Sequence, residues 1–280
     1  MRLANIANRA TLVGPDDQII DIATGSGGRF GTRIQDCYER WDELLDVIAD
    51  LPVTGPGLSQ VPLTDYGSPA PQPRQIFAIG LNYADHAAEA NLAVPEELTV
   101  FTKFVTSLAG PYGTITLPPG TVDWEVEMVT VIGRGGQHIS AEHAWDHVAG
   151  VTVAQDLSER SMQLSGDAPQ FSLGKSFPGF GPMGPVLATP DEFEDPNNIA
   201  LGCSINGEPV QSGTTADMVF PVPEIVARLS RITPLLAGDI IFTGTPAGVG
   251  IGRSPQRFLQ PGDELVTHMQ GVGEMRHRLR

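Results

Sequence analysis

Residues 122–133 read VDWEVEMVTVIG, and this stretch decides the fold because it combines a strand pattern with two glutamates, Glu125 and Glu127. Apolar and acidic residues alternate from Val122 to Met128, which is the period of a β-strand whose side chains point to opposite faces. An acidic face turned to water would make this an ordinary half-buried strand. The continuation VTVIG lacks the alternation and predicts a strand buried on both sides. We therefore expect part of the acidic row to face an interior cleft.

Carboxylates that share an interior cleft repel one another. Their pKa values rise, or a cation compensates the charge, and a divalent metal ion is the simplest such cation. A third acid suits the pair, because the strand-like VTVA run ends in Gln155 and Asp156, where a strand gives way to a turn. Glu125, Glu127 and Asp156 would leave the remaining octahedral positions of Mg²⁺ or Mn²⁺ to water or substrate.

The composition excludes some classes of protein. A chain of 280 residues with 41% hydrophobic and 18% charged residues is typical of a soluble globular protein with one large domain, or one large and one small. The formal charge of -16 argues against a broad surface for nucleic acid or anionic membrane. A small anionic substrate stays compatible with this charge, because a metal and a few cations can invert the field in one cleft.

The cysteines and the chain start bear on location. Only Cys37 and Cys203 are present, and a core of this size needs no disulfide, so we expect a reduced, cytoplasmic protein. The start MRLANIANRATLVG lacks the apolar region and cleavage site of a signal peptide. No apolar run reaches membrane-spanning length.

The first quarter of the chain predicts a small N-terminal domain. Residues 1–23 predict a hairpin around the turn sequence GPDD. QDCYERWDELLDVIAD predicts a helix whose apolar residues share one face, which places Cys37 in the core and gives it no catalytic role. The Pro, Gly and Ser content of Pro52 to Pro73 indicates a linker. We thus expect a small domain with its linker over 1–70 and a catalytic domain over 71–280.

The rest of the chain predicts many short strands with few helices. Helices are expected in NYADHAAEAN, EHAWDHVAG and PVPEIVARLSR, and Asn206-Gly207 is a strong hairpin signal. GVGIGR is not a dinucleotide fingerprint, since no strand and glycine loop leads into a helix there, and it lacks the Lys-Ser/Thr ending of a phosphate-binding loop. A mainly antiparallel, β-rich domain is predicted from QIFAIGL, FSLGKSF, GPVLATP, NIALGCSI, GDIIFTGTP and GDELVTHM.

A series of sequence blocks resembles one known family. In family order these are IGLNYADHAAE, FTKF, VDWEVEMVTVIGR, QDLSERSMQ, GKSFPGFGPMGP, INGEPVQ and GDIIFTGTPAGVG. They cover nearly all of residues 75–275 and resemble the fumarylacetoacetate hydrolase family. Together they are far more specific than the Glu-x-Glu pair alone. The resemblance implies a mainly β, α+β fold, with a mixed β-sandwich or β-roll catalytic domain and a small N-terminal β-rich domain.

The resemblance also implies roles for individual residues. Glu125, Glu127 and Asp156 would bind Mg²⁺ or Mn²⁺. The other implied site residues are Lys175 beside the metal, Arg160, Gln163 and Thr245 in the substrate pocket, and the water-activating pair His86 and Glu89 on a helix that orders as a lid. Family members are usually homodimers, which implies the same for this chain.

Physical chemistry supports these roles to different degrees. On a helix His86 and Glu89 share a face, so the carboxylate can orient the imidazole, although a solvated helix pair is the plainer interpretation. Lys175 is either a surface cation or a fixed positive charge for a developing oxyanion. Arg160 either pairs with Asp156 or offers its planar fork to a substrate carboxylate. We expect Asp123 to support the ligands rather than bind the metal.

Other histidines rank lower, and two positions depart from the family pattern. His143 and His147 have the spacing of a helical metal pair, but a solvated helix face is the more frequent cause. His268 and His277 are expected in terminal strands without partners. Gln155 stands where the family commonly has Asn, and Pro178 follows GKSF where Asp is common, which bears on substrate identity more than on metal binding.

The function implied by the resemblance is metal-dependent hydrolysis of a C–C bond in an acylpyruvate or other 1,3-diketo acid, similar to fumarylacetoacetate or fumarylpyruvate, through a metal-stabilised enolate. Two alternatives pass through the same enolate: decarboxylation of an oxaloacetate-type 2-oxo diacid, and isomerisation of 2-hydroxyhepta-2,4-diene-1,7-dioate. A non-catalytic metal- or ligand-binding protein on the same fold is a different class of answer. The intact set of site residues argues against it, because a binding module needs no water-activating pair.

Overall fold

The chain is built mainly from β-strands, as the sequence predicts, and the computed structural model describes residues 1–49, 51–89 and 92–280. Its strands are β1 (Arg2–Ile6), β2 (Arg9–Val13), β3 (Ile19–Asp21), β4 (Tyr66–Gly67), β5 (Ile76–Gly80), β6 (Thr99–Phe101), β7 (Leu108–Ala109), β8 (Tyr112–Ile115), β9 (Val122–Asp123), β10 (Val126–Ile132), β11 (Val148–Gln155), β12 (Ser158–Glu159), β13 (Gly181–Ala188), β14 (Ala200–Ile205), β15 (Glu208–Thr214), β16 (Ile240–Phe242), β17 (Glu264–Met269) and β18 (Gly273–Leu279). The α-helices are α1 (Ile22–Gly25), α2 (Ile34–Glu39), α3 (Trp41–Ile48), α4 (Ala84–Glu89), α5 (Arg160–Gln163), α6 (Phe171–Gly174) and α7 (Val222–Ile232). Short 3-10 helices lie at Leu58–Gln60, Leu63–Asp65, Val105–Ser107, Ala141–His147, Pro190–Glu192 and Thr215–Asp217.

Two sheets carry the architecture. The larger sheet has the order β3-β2-β1-β13-β11-β10-β16-β5-β6, with β4 beside β1 and β7 beside β13. The smaller sheet has the order β15-β14-β17-β18-β8, and β9 pairs with β12 separately. Most neighbours are antiparallel, as predicted, whereas β16 with β5, β18 with β8 and β13 with β7 are parallel. The predicted mainly β, α+β fold is confirmed.

The larger sheet is buried on both of its faces. One face packs against the smaller sheet, and Met128 on β10 and Leu265 on β17 belong to the same apolar core there. The opposite face packs against α2 and α3, where Val129 on β10 meets the core that contains Tyr38 and Leu44. Strands β10, β11 and β13 are buried along their whole length for this reason.

The alternation in residues 122–128 is realised as predicted. Trp124, Val126 and Met128 are fully buried in the core between the two sheets. Glu127 points to the opposite face, because successive side chains of a strand alternate. Val129 continues that face and packs towards the helices. The acidic residues therefore lie at the end of the sheet, outside the part of this face that α2 and α3 cover.

The N-terminal region departs from the predicted single hairpin and single helix. GPDD does connect β2 to β3, but RLANIANRATLV is itself a hairpin, because Ala7 and Asn8 reverse the chain with φ of 51° and 60°. The helix predicted over 35–50 is two helices, α2 and α3, separated at Arg40 with φ of -130°. The Arg40 side chain donates hydrogen bonds to Glu43 and to the Arg29 carbonyl at this break. Residue 50 lies outside the described residues.

The N-terminal strands join the larger sheet through antiparallel pairing of β1 with β13. The predicted linker, residues 52–73, carries two 3-10 helices and β4, and β4 also pairs with β1. The domain division at residue 70 stays a prediction. Cys37 and Cys203 are buried and unpaired, as expected for core cysteines.

Further along the chain, one prediction of secondary structure is wrong. The first four residues of FSLGKSF form helix α6 rather than a strand, and Gly174 at its end packs closely against α5. The helix expected in EHAWDHVAG is present as a 3-10 helix over Ala141–His147, and the last residues of this stretch begin β11. The predicted helix α7 and the Asn206-Gly207 hairpin between β14 and β15 are confirmed. Helix α4 is confirmed over Ala84–Glu89, and residues 90 and 91 lie outside the described residues.

Among the described residues, every helix is too short or too polar to cross a membrane.

Candidate metal centre and active site

Three buried carboxylates converge where β10 begins and β11 ends. Glu125 lies just before β10, Glu127 is its second residue, and Asp156 follows β11 directly. The backbone N–H of Asp156 donates to the Glu125 carbonyl at 2.9 Å, which holds the two strand ends together. One ligand oxygen from each carboxylate lies within 4.8 Å of the others. The structure thus brings together the three residues that the sequence analysis predicted as a metal site.

Lys175 bridges two of these carboxylates. Its Nζ donates to Glu125 Oε2 at 2.7 Å and to Asp156 Oδ2 at 2.8 Å, and the side chain is buried. Helix α6 positions it, because Gly174 lets the α6 backbone approach α5 closely. A Cβ at Gly174 would lie 2.7 Å from the Gln163 backbone nitrogen. The alternative of a surface cation is thereby wrong for Lys175.

Lys103 is a site residue to which the sequence analysis gave no role. Its Nζ donates to Asp156 Oδ1 at 2.7 Å and also to the backbone carbonyl of Lys175, and its side chain is fully buried. A signal was present in the sequence, because Lys103 and Lys175 are the only two lysines in a chain with 15 arginines. The chain uses arginine at its surface and lysine only at these two buried positions, which indicates a specific role for each lysine.

The pKa values of Glu125 and Glu127 are shifted in opposite directions, because of these two only Glu125 forms salt bridges with cationic side chains among the described residues. Burial alone would raise the pKa of Glu125, but the charges of Lys175 and Arg160 outweigh it and lower this pKa to about 2. Burial raises the pKa of Glu127 well above its ordinary value, and the nearby Asp156 and Glu125 charges raise it further. Glu127 is therefore the carboxylate whose ionised form is least favoured by the protein alone, and a cation beside it would favour that ionised form.

Arg160 pairs with Asp123 and Glu125, which corrects the expected alternative of a pair with Asp156. Its Nε and Nη2 lie 2.9 and 2.8 Å from Asp123 Oδ2, and its Nη1 lies 2.8 Å from Glu125 Oε1. Nη1 also donates to Gln163 Oε1 at 2.8 Å. Asp123 in turn accepts from the backbone N–H groups of Gly250 and Ile251. Asp123 therefore holds Arg160 in place, in agreement with its expected supporting role.

The backbone at the start of β10 is held by a hydrogen-bond network of Thr245, Gln211 and Gln155. The Thr245 hydroxyl donates to the Val126 carbonyl at 2.8 Å and accepts from Gln211 Nε2 at 2.8 Å. Gln211 Oε1 accepts from the Val126 N–H at 2.9 Å. Gln155, the departure from the family pattern, accepts from the Glu125 N–H at 2.9 Å. Its amide thus binds the strand end on which Glu125 and Glu127, two of the candidate metal ligands, lie.

His86 and Glu89 lie on α4 and face the carboxylates across a cavity. His86 Nδ1 is 3.5 Å from Glu89 Oε2, and both side chains are mostly buried. Glu89 accepts from the Gly248 N–H with both oxygens at 3.1 Å. The His86 contact and this hydrogen bond lower the pKa of Glu89 against the opposing effect of burial. The alternative of a solvated helix pair is not what the structure shows.

A single cavity of about 390 Å³ joins these groups. The two α4 residues form one side of it, and Glu125, Glu127 and Lys175 form its floor. The remaining predicted site residues also line this cavity, namely Arg160, Gln163 and Thr245. Asp156 lies beneath the floor with no solvent exposure.

The other histidines lie away from this cavity. His143 contacts Asp146 at 3.2 Å in an exposed position, and His147 Nδ1 contacts the Arg134 carbonyl at 2.8 Å. His277 was expected to lack a partner, but it is buried, and its Nε2 contacts the Gly110 carbonyl at 3.0 Å. Burial lowers the pKa of His277 to about 4.

The chemistry of the three carboxylates fits a divalent cation. Mg²⁺ and Mn²⁺ prefer oxygen ligands, and the cluster offers three carboxylates within the span that one ion can bridge. Among the described residues, Glu127 has no salt-bridge partner, and its one recorded hydrogen bond comes from the Gly244 N–H at 2.8 Å. A bound divalent ion would compensate this buried charge.

Comparison with known proteins agrees with this geometry. The sequence profile described as fumarylacetoacetate (FAA) hydrolase C-terminal matches residues 75–280. A provisionally named HpcE protein from Mycobacterium smegmatis has a crystal structure with a TM-score of 0.95 and 52% identity, covering 100% of this chain and 99% of that one. A maleylpyruvate hydrolase from Sphingobium sp. SYK-6, in complex with manganese(II) and pyruvate, gives a TM-score of 0.79 at 27% identity, covering 100% and 98%.

Curated relatives include the human protein named oxaloacetate tautomerase FAHD2A, mitochondrial. It is 45% identical over 208 residues, which are 74% of this chain and 66% of that protein, so this chain spans just under two thirds of the relative's length. The relatives thus include a tautomerase and a hydrolase, and the predicted hydrolase class is not confirmed. The cytoplasmic location is not confirmed either, since the human relative is named as mitochondrial. The profile match over most of the chain, the shared fold and the converging carboxylates establish that the chain belongs to the fumarylacetoacetate hydrolase family.

Proposed function

We propose that this protein is a divalent-metal-dependent enzyme that interconverts the keto and enol forms of a 2-oxo acid. The observation that carries the proposal is the placement of a His-Glu pair across one cavity from Glu125 and Glu127, which cluster with Asp156 directly beneath the cavity floor. The name of the human relative, an oxaloacetate tautomerase, supports this reaction class over the predicted C–C hydrolysis.

In this proposal Glu125, Glu127 and Asp156 hold Mg²⁺ or Mn²⁺. The ion, when bound, supplies Lewis-acid polarisation of the oxygen atoms of the 2-oxo acid group. The two lysines act on the ligands rather than on the ion. Lys175 orients Glu125 and Asp156 through hydrogen bonds of 2.7 and 2.8 Å, and Lys103 fixes the second oxygen of Asp156 at 2.7 Å. Because its Nζ lies at the cavity floor, Lys175 also stabilises negative charge that develops on the substrate.

His86 is the group that moves the proton. Its Nδ1 faces Glu89, so Nε2 is the ring nitrogen that can exchange a proton with a substrate. Nε2 takes a proton from C3 of the keto form, the electron pair of that C–H bond becomes the C2–C3 double bond, and the electron pair of the C2=O double bond moves onto the oxygen. The imidazolium then returns the proton to the C2 oxygen, which completes the enol and regenerates neutral His86. Glu89 stabilises the imidazolium that forms, because its pKa is lowered and it stays ionised.

Hydrolysis of an acylpyruvate-type acid is the second candidate. The same His86–Glu89 contact of 3.5 Å could remove a proton from water instead of from carbon. The maleylpyruvate hydrolase that shares the fold supports this possibility. Decarboxylation of a 2-oxo diacid and isomerisation of an unsaturated 2-oxo diacid also begin from an enolate, so product analysis is needed to separate the reactions.

The deciding experiment follows the ultraviolet absorbance of an enol 2-oxo acid as it converts to the keto form, with Mg²⁺ and with chelator, while products are identified by mass. We expect metal-dependent conversion without a change of mass. His86→Gln should reduce the rate about 10²- to 10⁴-fold. His143→Gln is the matched control, since His143 is exposed and lies outside the cavity, and its rate should equal that of the wild type.

The metal site has its own test. Glu127→Gln keeps the shape of the side chain and removes one ligand charge, so the variant should lose the rise in melting temperature that Mn²⁺ gives the wild type. Metal-independent conversion would refute the proposed site. Addition of water across a broken C–C bond would establish the hydrolase instead, and metal binding without any turnover would establish a binding protein.

The homodimer is proposed on the family resemblance, whereas the location and the domain division are proposed on the sequence composition. We propose a homodimer, which light scattering would detect as about twice the chain mass of 29.8 kDa. We also carry forward a cytoplasmic location and a domain division near residue 70. Limited proteolysis within residues 52–73 would test the division.

A further inference from the structure

The cavity has an apolar outer half above its charged floor. Phe101 is the part of this apolar half nearest the floor, and the centre of its ring lies 5.1 Å from Lys175 Nζ. Phe171 lies next to it in an edge contact, with 5.6 Å between the two ring centres. Leu164 and Leu92 line the mouth and are 51% and 53% exposed. An aromatic and aliphatic wall thus runs from the floor outward.

The facing wall is also apolar. It contains Val249 and Ile251, which follow β16 in the loop that receives α4. The only anionic side chain on this side is Glu89, among the described residues that line the cavity. A carboxylate at the outer end of a substrate would meet aliphatic groups and one like charge.

Among the described residues, the side chains of the cavity lining that can carry positive charge are His86, Arg160 and Lys175, and each of them already faces a carboxylate of the protein. Arg160 donates from Nε to Asp123 and from Nη1 to Gln163, and Nη1 also contacts Glu125, whereas its buried Nη2 lies 2.8 Å from Asp123 Oδ2 without a hydrogen-bond partner among the described residues. Lys175 is held between Glu125 and Asp156. Both side chains therefore already have carboxylate partners at the floor.

The balance of charges at the floor also argues against a second carboxylate on the substrate. Its four carboxylates exceed its three cations by one, so a bound divalent ion leaves one positive charge, and the single carboxylate of a 2-oxo acid cancels it. A second carboxylate would add an uncompensated buried charge, which is costly. The charges counted are those that line the floor or lie directly beneath it, namely Asp123, Glu125, Glu127, Asp156, Lys103, Arg160 and Lys175.

We infer that the substrate is a 2-oxo monocarboxylic acid whose far end is a hydrocarbon group, in contrast to the dicarboxylic acid in the name of the human relative. This inference rests on the proposed function, because it assumes that the 2-oxo acid group occupies the floor. Leu164 and Phe171 would contact the hydrocarbon group. These two residues would then determine specificity without taking part in the proton transfer.

A matched pair of ligands tests the inference by binding. The apolar ligand is 5-methyl-2-oxohexanoate, and its isostere 2-oxoglutarate carries two carboxylate oxygens where the first has two methyl groups. Calorimetry on the Mn²⁺-loaded protein should show about tenfold or tighter affinity for the apolar ligand. Equal affinity, preference for 2-oxoglutarate, or no binding of either ligand would overturn the inference.

Leu164→Arg places a cation at the mouth and should reverse the preference, with tighter binding of 2-oxoglutarate and weaker binding of its isostere. Leu173→Arg is the control, because Leu173 is 64% exposed on the neighbouring α6 and does not line the cavity. It adds the same charge nearby, so an unchanged preference there excludes a long-range field effect. Reversal in both variants, or in neither, contradicts a role for Leu164.

The failures of the two proposals can be told apart. A second assay follows exchange of the C3 protons of both ligands with deuterium in the presence of Mg²⁺. Binding in the expected order without enzymatic exchange would refute the proposed tautomerase and keep the apolar site. Rapid exchange with a preference for the dicarboxylate would keep the tautomerase and refute the apolar site.

Discussion

Replacing the buried Lys103 by methionine should destabilise the protein strongly, although Lys103 lies outside the lining of the cavity. The substitution keeps the length of the side chain and removes the ammonium group. Asp156 Oδ1 then loses its 2.7 Å partner, and the Lys175 carbonyl loses its donor. Each buried acceptor left unpaired costs about 1–3 kcal/mol, and breaking a buried ion pair typically costs about 3–5 kcal/mol. Asp156 keeps Lys175 at 2.8 Å, so we expect about 3 kcal/mol.

The assay is urea unfolding of the metal-free protein at pH 7, followed by circular dichroism. Arg278→Met is the control, since Arg278 is an exposed cation on β18 and should change the free energy of unfolding by less than about 0.5 kcal/mol. A loss below about 1 kcal/mol in Lys103→Met would refute the reasoning. It would mean that the ammonium group contributes no more than an ordinary surface charge.

Three further predictions follow from other contacts. Gly252→Ala should displace α4 and lower activity, because its Cβ would lie 2.3 Å from Glu89 Cγ, whereas Gly57→Ala has room and should be silent in the same assay. Native protein should keep Lys103 unmodified by an acetylating reagent, because Lys103 is buried outside the cavity lining, and the urea-unfolded chain should be acetylated at Lys103, as peptide mass spectrometry would show. The pKa of His277 is lowered from 6.5 in the unfolded chain to about 4 in the folded protein. Between these values the unfolded state binds more protons, so the free energy of unfolding decreases as the pH is lowered from about 6.5 to about 4. Between pH 7 and 5 the wild type should lose about 2 kcal/mol of unfolding free energy that His277→Gln keeps, and equal losses in urea titrations would contradict this.

Much of the site could be predicted from the sequence, because its signals are local. The alternation around Glu125 and Glu127 specifies a strand with one acidic face, and strand periodicity survives most tertiary contexts. Asp156 was predicted from the end of a strand-like run, and β11 does end at Gln155. The spacing of His86 and Glu89 matches their shared face on α4.

Other features depend on contacts between distant segments and could not be predicted from local patterns. Helix α6 forms where FSLGKSF suggests a strand, because its packing against α5 overrides the local propensity. The pairing of Arg160 with Asp123 joins residues 37 positions apart. Arg40, at the break between α2 and α3, donates to the carbonyl of Arg29, which precedes it by 11 residues. Lys103 illustrates the limit, since its role needs Asp156, which lies 53 residues away.

The distribution of cations explains how one cluster can be both stable and reactive. Glu125 and Asp156 have cationic partners within 2.8 Å, so their positions are set before any ion binds. Glu127 has only a backbone N–H and a raised pKa, so it is the carboxylate whose charge depends most on the ion. If all three carboxylates had cationic partners, the site would gain little from a metal. If none had, their mutual repulsion would destabilise the fold. Pairing two of the three therefore fixes the geometry of the site and still leaves a reason for a divalent ion to bind.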